Sequence, residues 1–136
     1  MVEDDAFVRK AACEVLLESG FDVLESENAV AARSVFSFNR EIIDAIFCDA
    51  ILPDANGVDL CREFQIAAPT IRIIVTSGYP VGTQLFGPKA ASYFLCKPYS
   101  ACQLSAMLQR IFADEFHTGE FLSPNPITDR LENVPG

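Results

Sequence analysis

Ala45-Ile46-Phe47-Cys48-Asp49 is an apolar run that ends in a carboxylate and then breaks into turn chemistry, Leu52-Pro53 followed by Asn56-Gly57. Its apolar residues fall on both sides of an extended chain, the pattern of a strand buried on both faces in a parallel sheet. Three other polar signals bound apolar runs elsewhere. Glu3-Asp4 follows Val2, Ser77 follows Ile73-Ile74-Val75-Thr76, and Lys97-Pro98 follows Phe94-Leu95-Cys96. In an open parallel sheet the carboxyl ends of the strands face one crevice, where ligands bind. An acid pair, a lone acid, a hydroxyl and a lysine are thereby directed to a common place.

The segments between these runs have helical spacing. Residues 6–19 repeat Val8, Ala11, Ala12, Val15 and Leu16 and stop at Ser19-Gly20. Phe21 to Leu24 reads as a short strand, and residues 29–38 as a helix closing near Asn39. Residues 57–67 carry Leu60, Cys61, Phe64 and Ala67 on one helical face. Residues 71–76 are β-branched and predict a strand. Phe94 to Cys96 predicts a further short strand. Residues 100–113, with Leu104, Met107, Leu108 and Ile111, give the clearest helix. Alternation of this kind implies an α/β fold with a parallel sheet covered on both faces. Residues 80–90, with Pro80, Gly82, Gly87 and Pro88, support a helix poorly. After Asp114 the composition shifts, with Pro124, Pro126 and Pro135. The chain therefore divides into a domain over 1–116 and a flexible or docked tail over 117–136.

Composition narrows the function classes. A chain of 136 residues, half of it apolar, suits one domain with an adequate core. A formal charge of −9 argues against direct nucleic-acid binding, which needs a basic footprint. The apolar runs are too short to span a membrane, and no targeting motif is visible. Cys13, Cys48, Cys61, Cys96 and Cys102 form no C-x-x-C pair, and His117 is the only histidine, which speaks against zinc. The thiols read as reduced core residues of a cytoplasmic protein, Cys96 among them by strand packing. His117 lacks the surrounding helix pattern of a phosphorylated histidine and reads as a surface residue.

A carboxylate that accepts a phosphoryl group approaches a dianion while itself negative, so a divalent cation must lie between them. Mg²⁺ is held by one or two carboxylates, phosphate oxygens and water. Glu3 and Asp4 supply an acid pair beside Asp49, and the backbone carbonyl of Ile51, two residues on, completes the shell. Lys97 neutralises a second phosphoryl oxygen and Ser77 hydrogen-bonds a third. Phosphoryl transfer needs little more, because positioning and charge stabilisation dominate it.

These residues resemble the receiver domain of two-component response regulators, a stand-alone chemotaxis-type fold. The resemblance covers roughly residues 2–113. It rests on Val2-Glu3-Asp4-Asp5 with Arg9, Asp49 with Leu52-Pro53 and Asn56-Gly57, Thr76-Ser77-Gly78-Tyr79, and Lys97-Pro98-Tyr99. It implies a flavodoxin-like, doubly wound sheet of five parallel strands in the order 2-1-3-4-5. It also implies Mg²⁺ binding, and phosphorylation of Asp49 by a phospho-histidine on a histidine kinase or histidine phosphotransfer protein. Carried over, Glu3, Asp4, Asp49 and the Ile51 carbonyl are metal ligands, Lys97 contacts phosphate, and Pro98 shapes the next turn through a cis bond. Ser77 is the switch hydroxyl and Phe94 the switch aromatic. A downstream protein target and a monomer or weak dimer complete the expectation.

Other readings compete. A degenerate receiver would bind partners without phosphorylation. A haloacid-dehalogenase-type phosphohydrolase needs a second aspartate as general acid two residues after the first, and that position is Ile51. A flavin-binding domain would need a phosphate cradle where this chain has Glu3-Asp4-Asp5. No enzymatic turnover beyond slow self-hydrolysis is expected. Taken alone, the acid cluster also suits the N-terminus of a helix. Only Met1 and Val2 precede it, so the first strand is truncated; missing upstream residues are the favoured explanation, and Glu3 would then fray. Ala90 stands where the family usually has glycine.

Overall fold

Unbroken burial along β1 (Ala45–Asp49) and β2 (Arg72–Ser77), on both faces of the sheet, sets the architecture. The computed structural model describes residues 1–79 and 91–113. Within them lie α1 (Ala6–Glu18), α2 (Ala29–Asn39), β1 (Ala45–Asp49), α3 (Gly57–Ala67), β2 (Arg72–Ser77), β3 (Ala91–Cys96) and α4 (Ala101–Ile111). The strands form a parallel sheet in the order β1-β2-β3, with Asp49 opposite Thr76 and Ser77 opposite Cys96. Ile73, Ile74, Val75 and Thr76 are all nearly inaccessible, as a central parallel strand requires.

The two remaining strands of the expected sheet are reduced to single positions. Val2 bridges in parallel to Ser26 on one side and Cys48 on the other. With these two positions included, the order across the sheet is second, first, third, fourth, fifth. The strand expected at Phe21–Leu24 does not form, because the pairing begins only at Ser26. Nor does Glu3 fray. The Val2 N–H donates to Phe47 O at 2.8 Å, the Asp49 N–H to Val2 O at 3.0 Å, and the Glu3 N–H to Ser26 O at 3.0 Å. The terminal ammonium donates to Leu24 O at 2.8 Å. With the Ser26 N–H donating to Met1 O at 2.8 Å, five main-chain bonds fix these three residues.

The described chain falls into two compact units. The first comprises Met1–Lys10 and Leu24–Tyr99. Its core joins Ile46 and Cys48 of β1 and Ile73 and Val75 of β2 to Ala32 and Phe36 of α2 and to Leu60, Cys61 and Phe64 of α3. The Phe36 and Phe64 rings stack with centroids 4.3 Å apart. The second comprises Ala11–Val23 and Ser100–Gly136, of which residues up to 113 are described. There Gly20, at φ 95°, ends α1, and the Phe21 N–H returns to Leu16 O at 3.1 Å. Phe21 meets Phe112 at 4.9 Å between ring centroids, so its apolar character serves packing and not a strand. Ser100 and Gln103 form a reciprocal capping box at the start of α4.

Cys13, Cys48 and Cys61 are buried, as expected; Cys96 and Cys102 are exposed, which corrects their reading as core thiols. Cys96 is at the strand's last position, where the chain leaves the sheet. No helix among the described residues is long and apolar enough to cross a membrane. The weak 80–90 segment with Ala90, the 116/117 boundary, His117 and the tail lie outside the described residues.

Candidate functional site

Asp49 ends β1, Ser77 ends β2 and Lys97 follows β3, so the parallel register alone brings three of the expected residues to one edge of the sheet. Backbone bonds continue that alignment beyond the strands: Ala50 N–H to Thr76 O and Lys97 N–H to Ser77 O, both 2.8 Å. The Lys97–Pro98 peptide is cis.

The side chains converge further. Lys97 Nζ donates to Glu3 Oε1 and to Asp49 Oδ2, each at 2.8 Å, across 94 and 48 residues of sequence. Glu3 and Asp49 are buried and Asp4 is exposed. One carboxylate oxygen from each of Glu3, Asp4 and Asp49 lies within 4.8 Å of the others. Burial pushes the Glu3 carboxyl above its ordinary value, outweighing the hydrogen bonds from Lys97 and the Asp5 N–H. Burial acts to lower the Lys97 ammonium, but the hydrogen bonds to Asp49 and Glu3 prevail and hold it above the usual lysine value. Glu3 and Asp49 are therefore held in place by one cation.

Two short turns orient the remaining groups. The Ile51 N–H donates to Asp49 Oδ1 at 3.2 Å, and the Tyr79 N–H donates to Ser77 Oγ at 3.0 Å. Each functional side chain is thus bonded by the backbone two residues on, leaving Ile51 and Tyr79 63% and 70% exposed at the surface. Phe94 is half-buried in β3, opposite Val75. Phe47 and Tyr99 rings meet 6.0 Å apart.

The sequence reading left several contributors without a role. Arg9 donates to the Glu3 carbonyl at 2.7 Å and pairs with Glu25 at 3.3 Å, anchoring the acid segment from α1. Asp5 Oδ1 accepts from the Phe7 and Val8 N–H groups at 2.9 and 3.1 Å. The last of the three acids therefore caps α1, while the first two face the site. Gly57 packs so closely on the Asp49 carbonyl that a Cβ would overlap it.

Residues 1–109 match the family described as response regulator receiver domain, so the chain belongs to that family. It is 29% identical over 113 residues to the sensor kinase CckA of Brucella abortus, covering 82% of this chain and 12% of that protein. It spans between 12% and 52% of the length of the first curated relatives it matches. The solved receiver domain of the hybrid histidine kinase CckA superposes with a TM-score of 0.69 at 26% identity, covering 81% of this chain and 94% of that one. The chemotaxis response regulator CheY4 of Vibrio cholerae gives 0.71 at 20% identity, covering 81% and 93%. The fold is that of flavodoxin-like receivers, and the chain is a receiver module of two-component signalling.

Proposed function

We propose that this receiver accepts a phosphoryl group on Asp49 from a phospho-histidine of a histidine kinase or phosphotransfer protein. The observation that carries this reading is the Lys97 ammonium bonded to both Glu3 and Asp49. An Asp49 oxygen forms the P–O bond of an acyl phosphate while the P–N bond to the partner's imidazole breaks. Lys97 then transfers its hydrogen bond from carboxylate to phosphoryl oxygen, and Ser77 donates to another. The pull on Ser77 shifts the end of β2, with Phe94 as the aromatic that follows it, and biases a surface read by a downstream protein.

The donor set beside Asp49 consists only of oxygens, three of them from carboxylates, which suits a hard divalent ion. Glu3, Asp4, Asp49 and the Ile51 carbonyl would hold Mg²⁺, which when bound would offset the charge of the incoming phosphoryl group. Similarity to receivers of kinase origin supports a place in a phosphorelay. The same reading makes residues 1–116 the signalling domain and 117–136 an appended tail, working in the cytoplasm as a monomer or weak dimer.

Intact-mass measurement after incubation with acetyl phosphate and Mg²⁺ tests the reading. One phosphoryl adduct is expected on the native chain and none on Asp49→Ala. A native chain that stays unmodified, including with a phosphorylated histidine phosphotransfer partner, would instead make this a receiver that acts by binding alone.

Ile51 and Tyr79 flank the approach of water to Asp49 and Ser77, and the aliphatic Ile51 side chain has no group that can orient it. Ile51→Asn supplies an amide that can. The acyl phosphate of that variant is expected to decay about fivefold faster, the worth of one hydrogen bond near 1 kcal/mol. An unchanged decay rate would show that Ile51 does not limit water.

A further inference from the structure

We propose that Asp54 is a positioning residue for the Asp49 site, tying the loop after β1 to the first turn of α2. Its carboxylate accepts from the Ala29 N–H at 2.8 Å and the Val30 N–H at 3.0 Å, 25 and 24 residues away. The first turn of a helix has N–H groups with no partner inside the helix. Helix α2 already has a local cap, since Asn28 Oδ1 accepts from the Ala31 N–H at 2.8 Å. Asp54 therefore adds a second, long-range attachment to a helix start that is already capped.

The attachment acts on a small, closed loop. Ile51 bridges to Asn56, the Leu52 N–H donates to Ala55 O at 3.1 Å, and the Gly57 N–H donates to Ala50 O at 2.7 Å. Leu52 is buried beneath it. Asn56 fixes the far end by accepting from the Val58 and Asp59 N–H groups at 2.8 and 3.1 Å. The tip is held through Asp54. Between the base of the loop at Ala50 and its tip at Asp54 lies Ile51, whose N–H bonds Asp49 Oδ1 and whose carbonyl is the expected metal ligand. The bonds from Ala29 and then Val30 hold the Asp54 carboxyl below its usual value, so it remains an ionised acceptor near neutrality. Releasing it frees the loop tip from the hydrogen bonds that tie it to α2, and the looseness is transmitted to Ile51.

The inference rests on the metal-site reading for one of its two readouts, so the test includes a second that does not. Asp54→Ala is compared with Asn28→Ala, which removes the local cap of the same helix, and with Asp54→Asn, whose amide oxygen can still accept. Titration with Mg²⁺ alone is expected to show about fivefold weaker binding for Asp54→Ala, the loss of one hydrogen bond's worth of positioning. Asn28→Ala is expected to bind as the native chain does, and Asp54→Asn to recover most of the loss. Without metal, amide hydrogen exchange at Ile51 and Leu52 is expected to accelerate in Asp54→Ala and not in Asn28→Ala. Equal effects of Asp54→Ala and Asn28→Ala on exchange would overturn the proposal by reducing Asp54 to a helix cap. So would unchanged exchange in Asp54→Ala. A native chain that binds no Mg²⁺ would fail the metal-site reading instead, and exchange would still decide the loop's attachment.

Discussion

Lys97→Met is expected to lower the unfolding free energy by about 3 kcal/mol near pH 7 without divalent metal, the low end for breaking a buried ion pair. The low end applies because the Lys97 side chain keeps 24% of its exposure. Methionine preserves the aliphatic stem and removes only the ammonium, leaving Glu3 and Asp49 buried together without a cation. The pH dependence identifies the cause. Burial already raises the Glu3 carboxyl against the opposing pull of Lys97; once that pull is gone the carboxyl rises further. A group whose folded pKa lies above its unfolded value stabilises the fold fully below the unfolded value. That contribution is lost as pH rises through the folded one. The variant should therefore recover stability as pH falls toward the ordinary carboxyl value of 4.5, more steeply than the native chain. On the alkaline side the native chain is the more sensitive of the two. The native chain loses the contribution of its raised Lys97 as pH climbs past the ordinary lysine value of 10.5, and the variant has none to lose. Urea denaturation across this range, with a chelator present, measures both slopes. Added Mg²⁺ is expected to stabilise the variant more than the native chain, since a cation then replaces the missing charge. Equal stabilities at all pH values would show that the acids are hydrated and that Lys97 does not hold them.

What the sequence disclosed follows the range over which each cause acts. Strands β1 and β2 were legible because burial on both faces leaves an unbroken apolar run. Helix α4 was legible through its apolar period, a local signal. The convergence of Glu3, Asp4, Asp49, Ser77 and Lys97 was legible only by joining strand ends to a fold, since nothing near Lys97 refers to Glu3. Phe21–Leu24 misled because apolar residues serve a strand or a ring contact equally well, and Phe21 serves the latter. The short start misled in the opposite direction. Strand length predicted a loose Glu3, but anchoring depends on which bonds form, and Met1, Val2 and Glu3 form theirs to segments on both sides. Asp54, just after Leu52-Pro53, has the local character of a turn acid; its partners lie on α2, and no sequence spacing reveals a cap supplied from 25 residues away.

The Asn56-Gly57 pair was also visible, but its cause was not, and it yields the second large effect. Gly57→Ala is expected to destabilise the chain by about 3 kcal/mol and to abolish most phosphorylation of Asp49. The reason is space. An added Cβ would meet the Asp49 carbonyl oxygen and carbon and the Ala50 Cα, all of them backbone. No side chain can rotate away. The overlap is relieved only by parting the start of α3 from the end of β1, which stretches the Gly57 N–H bond to Ala50 O and carries Asp49 off Lys97. Gly20→Ala provides the contrast. That glycine has open space around it but a φ of 95°, so alanine is strained by about 1 to 2 kcal/mol at the end of α1. Denaturation should find both variants destabilised, Gly57→Ala the more. Phosphoryl incorporation, measured where each variant is still folded, should fall in Gly57→Ala and remain native in Gly20→Ala. Native incorporation in folded Gly57→Ala would mean that the strand end tolerates displacement, and that the close approach of α3 serves packing without positioning Asp49.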